Sequence, residues 1–298
     1  MVRRLTVAVL LALSLGIFGG LVHDMHVGTA APVTATSAAY TLDQQGAFIY
    51  VPSNAAQRQP LPVLVAVHGM GGNGRDFCQD LLATAERNGW IVVAPTFTYQ
   101  DYKDPALVVQ DDTTFLPRLA ALLEQLPART GLQTRDRALL YGHSRGAQLV
   151  HRFATFYPER SAGVAALSAG SYTLPLHTML VDGRSQTLPL PYGVSDLGRY
   201  LGRDFDYAAF RRVPFRIEVG GDDTNPDDVP HAWDPYLGRT RVDRARAYAR
   251  TLADIGVGAT LQVYPGAGHG VSAAMHDDAL RFLEEIAARP VAPAGTAP

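Results

Sequence analysis

The strongest constraint on the fold of this chain is an apolar run, LPVLVAV at residues 61–67, that no polar side chain interrupts. A strand with one face in water would alternate apolar and polar residues, so an uninterrupted run is typical of a strand buried on both faces. Such strands belong to parallel sheets, in which a crossover connection, usually a helix, joins each strand to the next. The rest of the sequence should therefore alternate between strands and helices.

The remaining sequence does alternate in this way. Other short segments are predicted as strands, at residues 47–51, 90–94, 138–141, 162–167, 215–219 and 259–264. Amphipathic stretches predict helices, at residues 76–87, 115–126, 144–157, 242–252 and 274–287. The polar triplet Asp111-Asp112-Thr113 is interpreted as the N-cap of the second helix. The pattern predicts an α/β fold with a mostly parallel central sheet and helices on both faces.

The N-terminus has the layout of a secretory signal peptide. Arg3 and Arg4 precede an uncharged, mostly apolar run, and small residues follow at 28–31. This arrangement predicts a signal peptide over residues 1–31 and a secreted, extracellular protein that leaves the membrane once the signal is cleaved. Because the apolar run is nearly long enough to span a bilayer, a protein anchored to the membrane by an uncleaved segment is the alternative.

The segments outside the alternating pattern define the other boundaries. Residues 32–46 are interpreted as a leader, and residues 289–298, rich in Pro and Ala, as a disordered tail. Residues 47–288 then form a single domain. Within it, residues 171–212 are rich in Gly, Pro and Tyr and only weakly periodic, which is typical of a lid or a binding loop. The alternative is that the apolar side chains of this segment only pack it onto the core.

The composition excludes several kinds of partner. The 26 basic and 28 acidic residues give a formal net charge of −2, which offers no basic excess for a nucleic-acid backbone. The single cysteine, Cys78, cannot form an internal disulfide or build a zinc cluster alone. We therefore expect neither a nucleic-acid partner nor a metal, and the sequence does not indicate an oligomeric state.

A nucleophile turn is predicted where a strand meets the helix at 144–157. Gly142-His143-Ser144-Arg145-Gly146 matches the G-x-S-x-G pattern, in which a tight strand–helix turn exposes the serine hydroxyl at the positive end of the helix. An ordinary glycine-rich turn is the alternative, but the position between strand and helix favours a nucleophile at Ser144. His143 is expected to pack beneath the turn.

A serine hydroxyl needs a general base, and the base needs a carboxylate that fixes its tautomer. His269 follows the last predicted strand between glycines, in PGAGHG, and is the expected base. The preceding strand ends in GGDDTNPDD, which contains the candidate acids. We favour Asp223 over its neighbour Asp222, because the common spacing in this architecture is Gly, two residues and Asp. Asp227 and Asp228 are weaker alternatives.

The negative charge that develops on a substrate oxygen also needs hydrogen-bond donors. The backbone N–H of Arg145, directly after the serine, is one predicted donor. The loop after the strand at 61–67 reads HGMGG, and we expect the N–H of Met70 to be the second donor, with Gly69 or Gly71 as alternatives. A phosphate-binding loop is the competing interpretation, but the G-x-x-x-x-G-K pattern is missing.

The order Ser144, Asp223, His269, with the HGMGG loop upstream, resembles the α/β-hydrolase superfamily over about residues 47–288. The stretch HGMGGNGRDF at 68–77 is similar to its polyhydroxybutyrate depolymerase and feruloyl esterase branch. Members of that branch usually carry disulfides, which this chain cannot form internally. The resemblance implies a central, mostly parallel sheet, no cofactor, and hydrolysis through an acyl-enzyme.

These observations together predict a serine hydrolase that cleaves carboxylic esters, either small or polymeric. Gly69, Tyr99, Tyr172 and Tyr192 are the expected pocket residues. Two alternatives use the same fold, namely a peptidase or amidase and a catalytically silent binding protein. Ser144 excludes the related dehalogenases, which use an aspartate nucleophile, whereas hydroxynitrile lyases and cofactor-free haloperoxidases share the serine triad and stay open.

Overall fold

The computed structural model of the protein describes residues 40–42 and 46–290, so the predicted signal peptide and most of the predicted tail lie outside it. The strands of this part are β1 (Tyr40–Leu42), β2 (Ala47–Tyr50), β3 (Val63–Val67), β4 (Ile91–Pro95), β5 (Ala138–His143), β6 (Ser161–Leu167), β7 (Thr178–Val181), β8 (Arg184–Thr187), β9 (Phe215–Gly220) and β10 (Ala259–Tyr264). The helices are α1 (Gly74–Phe77), α2 (Gln79–Asn88), α3 (Pro105–Thr130), α4 (Arg145–Phe156), α5 (Leu197–Leu201), α6 (Tyr207–Phe210), α7 (Asp234–Leu237), α8 (Arg241–Asp254) and α9 (Ala273–Ala287). Across these residues, no helix is both long and apolar enough to cross a bilayer.

The central sheet has eight strands in the order β1-β2-β4-β3-β5-β6-β9-β10. The six strands from β4 to β10 in this order pair in parallel. β2 and β1 extend the sheet at one edge with antiparallel pairs. The prediction of a mostly parallel sheet is confirmed, and the LPVLVAV run contains β3, whose residues are all buried.

Helices cover both faces of this sheet. Successive side chains of a strand point to opposite faces, so Val65 and Val67 of β3 pack on one side while Leu64 and Ala66 pack on the other. The first side is covered by α3, α4 and α8, and the second by α2 and α9. Because α4 is buried along its whole length, the turn directly before it is held firmly in place.

The helix predicted at 115–126 is longer than expected. α3 begins after Asp104, whose side chain caps it, and runs for 26 residues. Asp111 and Asp112 therefore do not cap a helix but lie inside α3, where both are buried. The Nη2 atom of Arg145 lies 3.3 Å from the Asp111 carboxylate and 3.2 Å from that of Asp112. The N-cap prediction was wrong because a buried acid is tolerated within a helix when a distant cation pairs with it.

Residues 171–212 contain the hairpin β7–β8 and the short helices α5 and α6. Much of the segment packs onto the core through buried side chains, Tyr172, Leu174, Leu188, Leu190, Val194, Leu197, Phe205 and Phe210. The packing alternative accounts for these side chains. A lid function of the segment stays a prediction.

Part of the predicted leader belongs to the sheet. β1 pairs antiparallel with β2, which places Tyr40 opposite Ile49 and Leu42 opposite Ala47. The interpretation of residues 32–46 as a leader outside the domain was wrong for Tyr40–Leu42. A short segment forms β-sheet hydrogen bonds when it lies along an existing strand, even if its own sequence has little β-strand propensity.

Candidate active site

The predicted site residues follow strands that end at the same edge of the sheet. Val67 of β3 lies opposite Gly142 of β5, and Gly220 of β9 lies opposite Tyr264 of β10. The loops after these four strands therefore share one surface, where ligands bind in open α/β sheets.

The nucleophile turn joins β5 to α4. Ser144 has φ 56° and ψ −118°, a conformation that non-glycine residues rarely adopt. A Cβ on Gly142 would lie 2.5 Å from the carbonyl oxygen of Gly146, and a Cβ on Gly146 would lie 2.0 Å from that of Val67. Only glycine fits at these two positions, which is why the pattern G-x-S-x-G predicts the turn.

The turn places Ser144 beside His269, and His269 beside Asp223. The Oγ atom of Ser144 is 2.9 Å from Nε2 of His269, and Nδ1 of His269 is 2.8 Å from Oδ2 of Asp223. Because a carboxylate only accepts hydrogen bonds, Nδ1 carries the proton and Nε2 is free to accept from the hydroxyl. The arrangement can therefore pass the serine proton to the histidine.

Asp223 rather than Asp222 contacts the histidine. Asp223 is 5% exposed, and its second oxygen accepts a hydrogen bond from Nη1 of Arg241 at 2.8 Å. Asp222 is exposed and makes no hydrogen bond to His269 within the described residues. The weaker candidates are exposed on the short 3₁₀ turn that follows, Asp227 and Asp228.

The surroundings of Asp223 favour its ionised form. Burial alone would raise the pKa of this carboxyl, but the hydrogen bond from His269 and the charge of Arg241 outweigh burial and lower the pKa below its ordinary value. Arg241 is held in turn by the carbonyl oxygen of Asp228, 2.9 Å from its Nη2 atom. Asp223 can therefore fix the tautomer of His269 and stabilise a positive charge on it.

His143 borders the cleft and lies beside His269, with ring centroids 4.9 Å apart, so it is not packed beneath the turn as predicted. Its Nε2 atom donates to the carbonyl oxygen of His269 at 2.7 Å. Burial lowers the pKa of His143 below its ordinary value, which favours the neutral ring. This hydrogen bond ties the loop of His269 to the nucleophile turn.

Both predicted oxyanion donors have free N–H groups. The backbone N–H groups of Met70 and Arg145 donate to no other group in the part of the chain that the structure describes. Gly69 lies against Ser144, since a Cβ there would be 3.3 Å from Cβ of Ser144. The HGMGG loop therefore borders the serine, and its role as an oxyanion hole stays a prediction.

Ser144 opens into a cleft of about 710 Å³. Its wall is formed by the loop after β3, the end of α1 and two histidines from other loops. The residues are His68, Gly69, Met70, Gly71, Gly72, Asn73, Asp76, Phe77, His143 and His269. Met70, which is 44% exposed, and Phe77 give the wall apolar surface. Among these described residues, Asp76 is the only acid, and none is Lys or Arg.

Three tyrosines predicted to line the pocket are absent from this wall as the structure describes it. Tyr172 is completely buried, and Tyr192 packs against Trp233 with ring centroids 5.0 Å apart. Tyr99 is not part of the wall, and its hydroxyl bonds to the carbonyl oxygen of His68 at the start of the HGMGG loop. The pocket prediction was wrong because these rings bury more apolar surface against the core than an open cleft offers. Gly69 is the predicted pocket residue that borders the cleft.

Sequence reasoning missed Arg241, which holds the acid of the site. A capping box between Thr240 and Asp243 marks the start of α8 and could have been recognised. The sequence does not show that the side chain at the first helical position reaches back 18 residues to Asp223.

The sequence also matches a known family. A family model described as "Alpha/beta hydrolase family" matches residues 64–285. No curated protein shows significant sequence similarity to the chain.

Solved structures with a similar fold include three named hydrolytic enzymes. Poly(aspartic acid) hydrolase-1 from Sphingomonas sp. KT-1 is 20% identical at a TM-score of 0.60, and the match covers 80% of this chain and 92% of that chain. LpqC, a poly(3-hydroxybutyrate) depolymerase from Bordetella parapertussis, is 25% identical at a TM-score of 0.54, with coverage of 84% and 88%. Esterase PE8 is 22% identical at a TM-score of 0.53, with coverage of 80% and 97%.

Proposed function

This chain belongs to the α/β-hydrolase family, and from that premise we propose that it is a serine hydrolase that cleaves carboxylic esters through an acyl-enzyme. The observation that carries the proposal is the hydrogen-bonded series from Ser144 through His269 to Asp223, at an open cleft. Its two distances, 2.9 and 2.8 Å, are already within the range for proton transfer.

In the proposed reaction, Oγ of Ser144 attacks the ester carbonyl carbon while Nε2 of His269 takes the hydroxyl proton. The carbonyl oxygen becomes an oxyanion, which the N–H groups of Met70 and Arg145 stabilise. The intermediate then collapses, the alcohol leaves with the proton from His269, and the acyl group remains on the serine. Water attacks this acyl-enzyme by the same route, releases the acid and restores the serine.

The wall of the cleft favours an uncharged ester. Met70 and Phe77 provide apolar contact, and the Asp76 carboxylate adds a negative charge. The neighbouring Arg75 is directed elsewhere, because its guanidinium lies over the ring of Phe48, 5.8 Å from the centroid. We therefore propose that an anionic ester binds less well than a neutral one of the same size.

The similarity to LpqC supports an ester substrate, because that protein is named for the depolymerisation of a polyester. The open cleft leaves room for either a polymer chain or a small ester. We also propose that the protein is secreted, on the strength of the signal-like sequence of residues 1–31.

The test is hydrolysis of p-nitrophenyl esters of increasing acyl length by the chain without residues 1–31. Turnover should be lost by several orders of magnitude in Ser144→Ala. Ser185→Ala, an exposed serine of β8, is the matched control and should keep full activity. Equal activity of Ser144→Ala and the parent would contradict the proposal, and turnover of amides without esters would favour a peptidase or amidase.

A further inference from the structure

Tyr99 contacts both segments that supply the proposed oxyanion donors. Its hydroxyl donates to the carbonyl oxygen of His68 at 3.0 Å, and its ring centroid lies 5.3 Å from that of the His68 imidazole. The same ring lies 5.1 Å from the guanidinium carbon of Arg145. Tyr99 therefore connects the loop that carries Met70 to the residue that follows Ser144.

The side chain of His68 fixes the peptide that carries the Met70 N–H. The backbone N–H of Phe97 donates to Nε2 of His68 at 3.0 Å, so Nδ1 bears the proton of the neutral ring. Nδ1 donates to the carbonyl oxygen of Gly69 at 2.6 Å. In a trans peptide the C=O and N–H groups point in opposite directions, so this bond aims the Met70 N–H away from the imidazole.

Arg145 gives the ring of Tyr99 a rigid surface. The side chain is 1% exposed, and its Nη2 atom bonds to the carboxylates of Asp111 and Asp112 at 3.3 and 3.2 Å. Because these bonds hold the guanidinium in place, a movement of the Tyr99 ring would lose its contact with Arg145. The ring of Tyr99 is therefore fixed relative to the start of α4. Its hydroxyl, bonded to the carbonyl oxygen of His68, holds His68 in place relative to α4.

The hydroxyl of Tyr99 remains a donor over the working pH range, because burial raises the pKa of this phenol. We propose that Tyr99 is a positioning residue that sets the spacing between the Met70 and Arg145 N–H groups, through its bond to His68 and its contact with the guanidinium. The inference rests on the proposed function, since it concerns the oxyanion hole of that reaction.

The test is Tyr99→Phe, which removes the hydroxyl and keeps the ring. Both acylation and deacylation use the oxyanion hole, so kcat for a p-nitrophenyl ester should fall about tenfold, less than the roughly 10²–10³-fold loss for deleting a donor outright. KM should stay within about twofold, because the hydroxyl does not touch substrate. The affinity for an alkylboronic acid, whose tetrahedral adduct places an oxygen in the hole, should fall in parallel with kcat.

Tyr102→Phe is the matched control, because it removes a hydroxyl from the same loop that makes no hydrogen bond in the described structure, and it should leave all three quantities unchanged. Thermal unfolding of both variants measures the folded fraction. An unchanged kcat in Tyr99→Phe, a rise in KM alone, or a loss of folded protein that accounts for the whole effect would overturn the proposal. If Ser144→Ala is as active as the parent, the proposed function fails instead.

Discussion

Replacing Asp223 by asparagine exchanges one oxygen for an NH₂ group, and we expect it to remove most of the activity. The carboxylate accepts two hydrogen bonds at 2.8 Å, from Nη1 of Arg241 and from Nδ1 of His269. An amide offers one acceptor and one donor group in their place. Its oxygen must face Arg241, because a guanidinium cannot accept, so the NH₂ group must face His269.

This orientation forces His269 into the wrong tautomer. Nδ1 then accepts from the amide, and the ring proton moves to Nε2, which lies 2.9 Å from the hydroxyl of Ser144. The histidine can then donate to the serine but cannot take its proton. The equivalent change in a serine protease lowers kcat by about 10⁴-fold, or roughly 5 kcal/mol of transition-state stabilisation.

Asp222→Asn is the matched control, because it makes the same chemical change at the neighbouring exposed residue. Its kcat should stay within about threefold of the parent. The assay is kcat for a p-nitrophenyl ester in both variants, with thermal unfolding to verify that each is folded. The reasoning is refuted if folded Asp223→Asn keeps more than about a tenth of the parent kcat, or if Asp222→Asn loses more activity.

Three further predictions concern packing, charge and acidity. Gly146→Ala should lower the free energy of unfolding by more than about 2 kcal/mol, since its Cβ would lie 2.0 Å from a carbonyl oxygen, whereas Gly268→Ala, with open space around it, should be neutral in the same urea titration. Asp76→Asn should raise kcat/KM for an anionic ester roughly fivefold relative to a neutral one, and an unchanged ratio contradicts the proposed charge selectivity. Burial lowers the pKa of His151 well below its ordinary value, so below about pH 6.5 the unfolded chain binds more protons and stability should decrease as the pH falls. Urea unfolding at pH 7.5 and 5.5 tests this, and His151→Gln should reduce the difference.

The sheet is predictable from the sequence because fully buried strands have a pattern that depends on burial alone. The apolar runs at 90–94 and 138–141 correspond to β4 and β5, and each strand ends one or two residues beyond its run. β1 was missed because a three-residue strand carries too little pattern of its own. Its pairing with β2 depends on a neighbour that local sequence does not identify.

The site residues in the loops after the strands can be predicted from the sequence, because the backbone geometry of each loop restricts which residues can stand beside them. Ser144 is identified by glycines that the turn requires, and Asp223 by its distance from the end of a strand. The residues that hold these site residues in place cannot be predicted in this way. Arg241 and Tyr99 act through contacts with distant segments, and Asp112 resembles a cap until its partner 33 residues away is known.

The salt bridges beneath the nucleophile turn have an evolutionary consequence. Arg145, Arg152, Asp111 and Asp112 form a buried group without net charge. Losing one partner of a buried pair costs about 3–5 kcal/mol, a large share of the roughly 5–15 kcal/mol that holds a domain together. Substitutions that preserve stability must therefore change several of these four positions together. Across descendants of this sequence, the residue at position 145 should therefore change only together with the acids at positions 111 and 112 of α3.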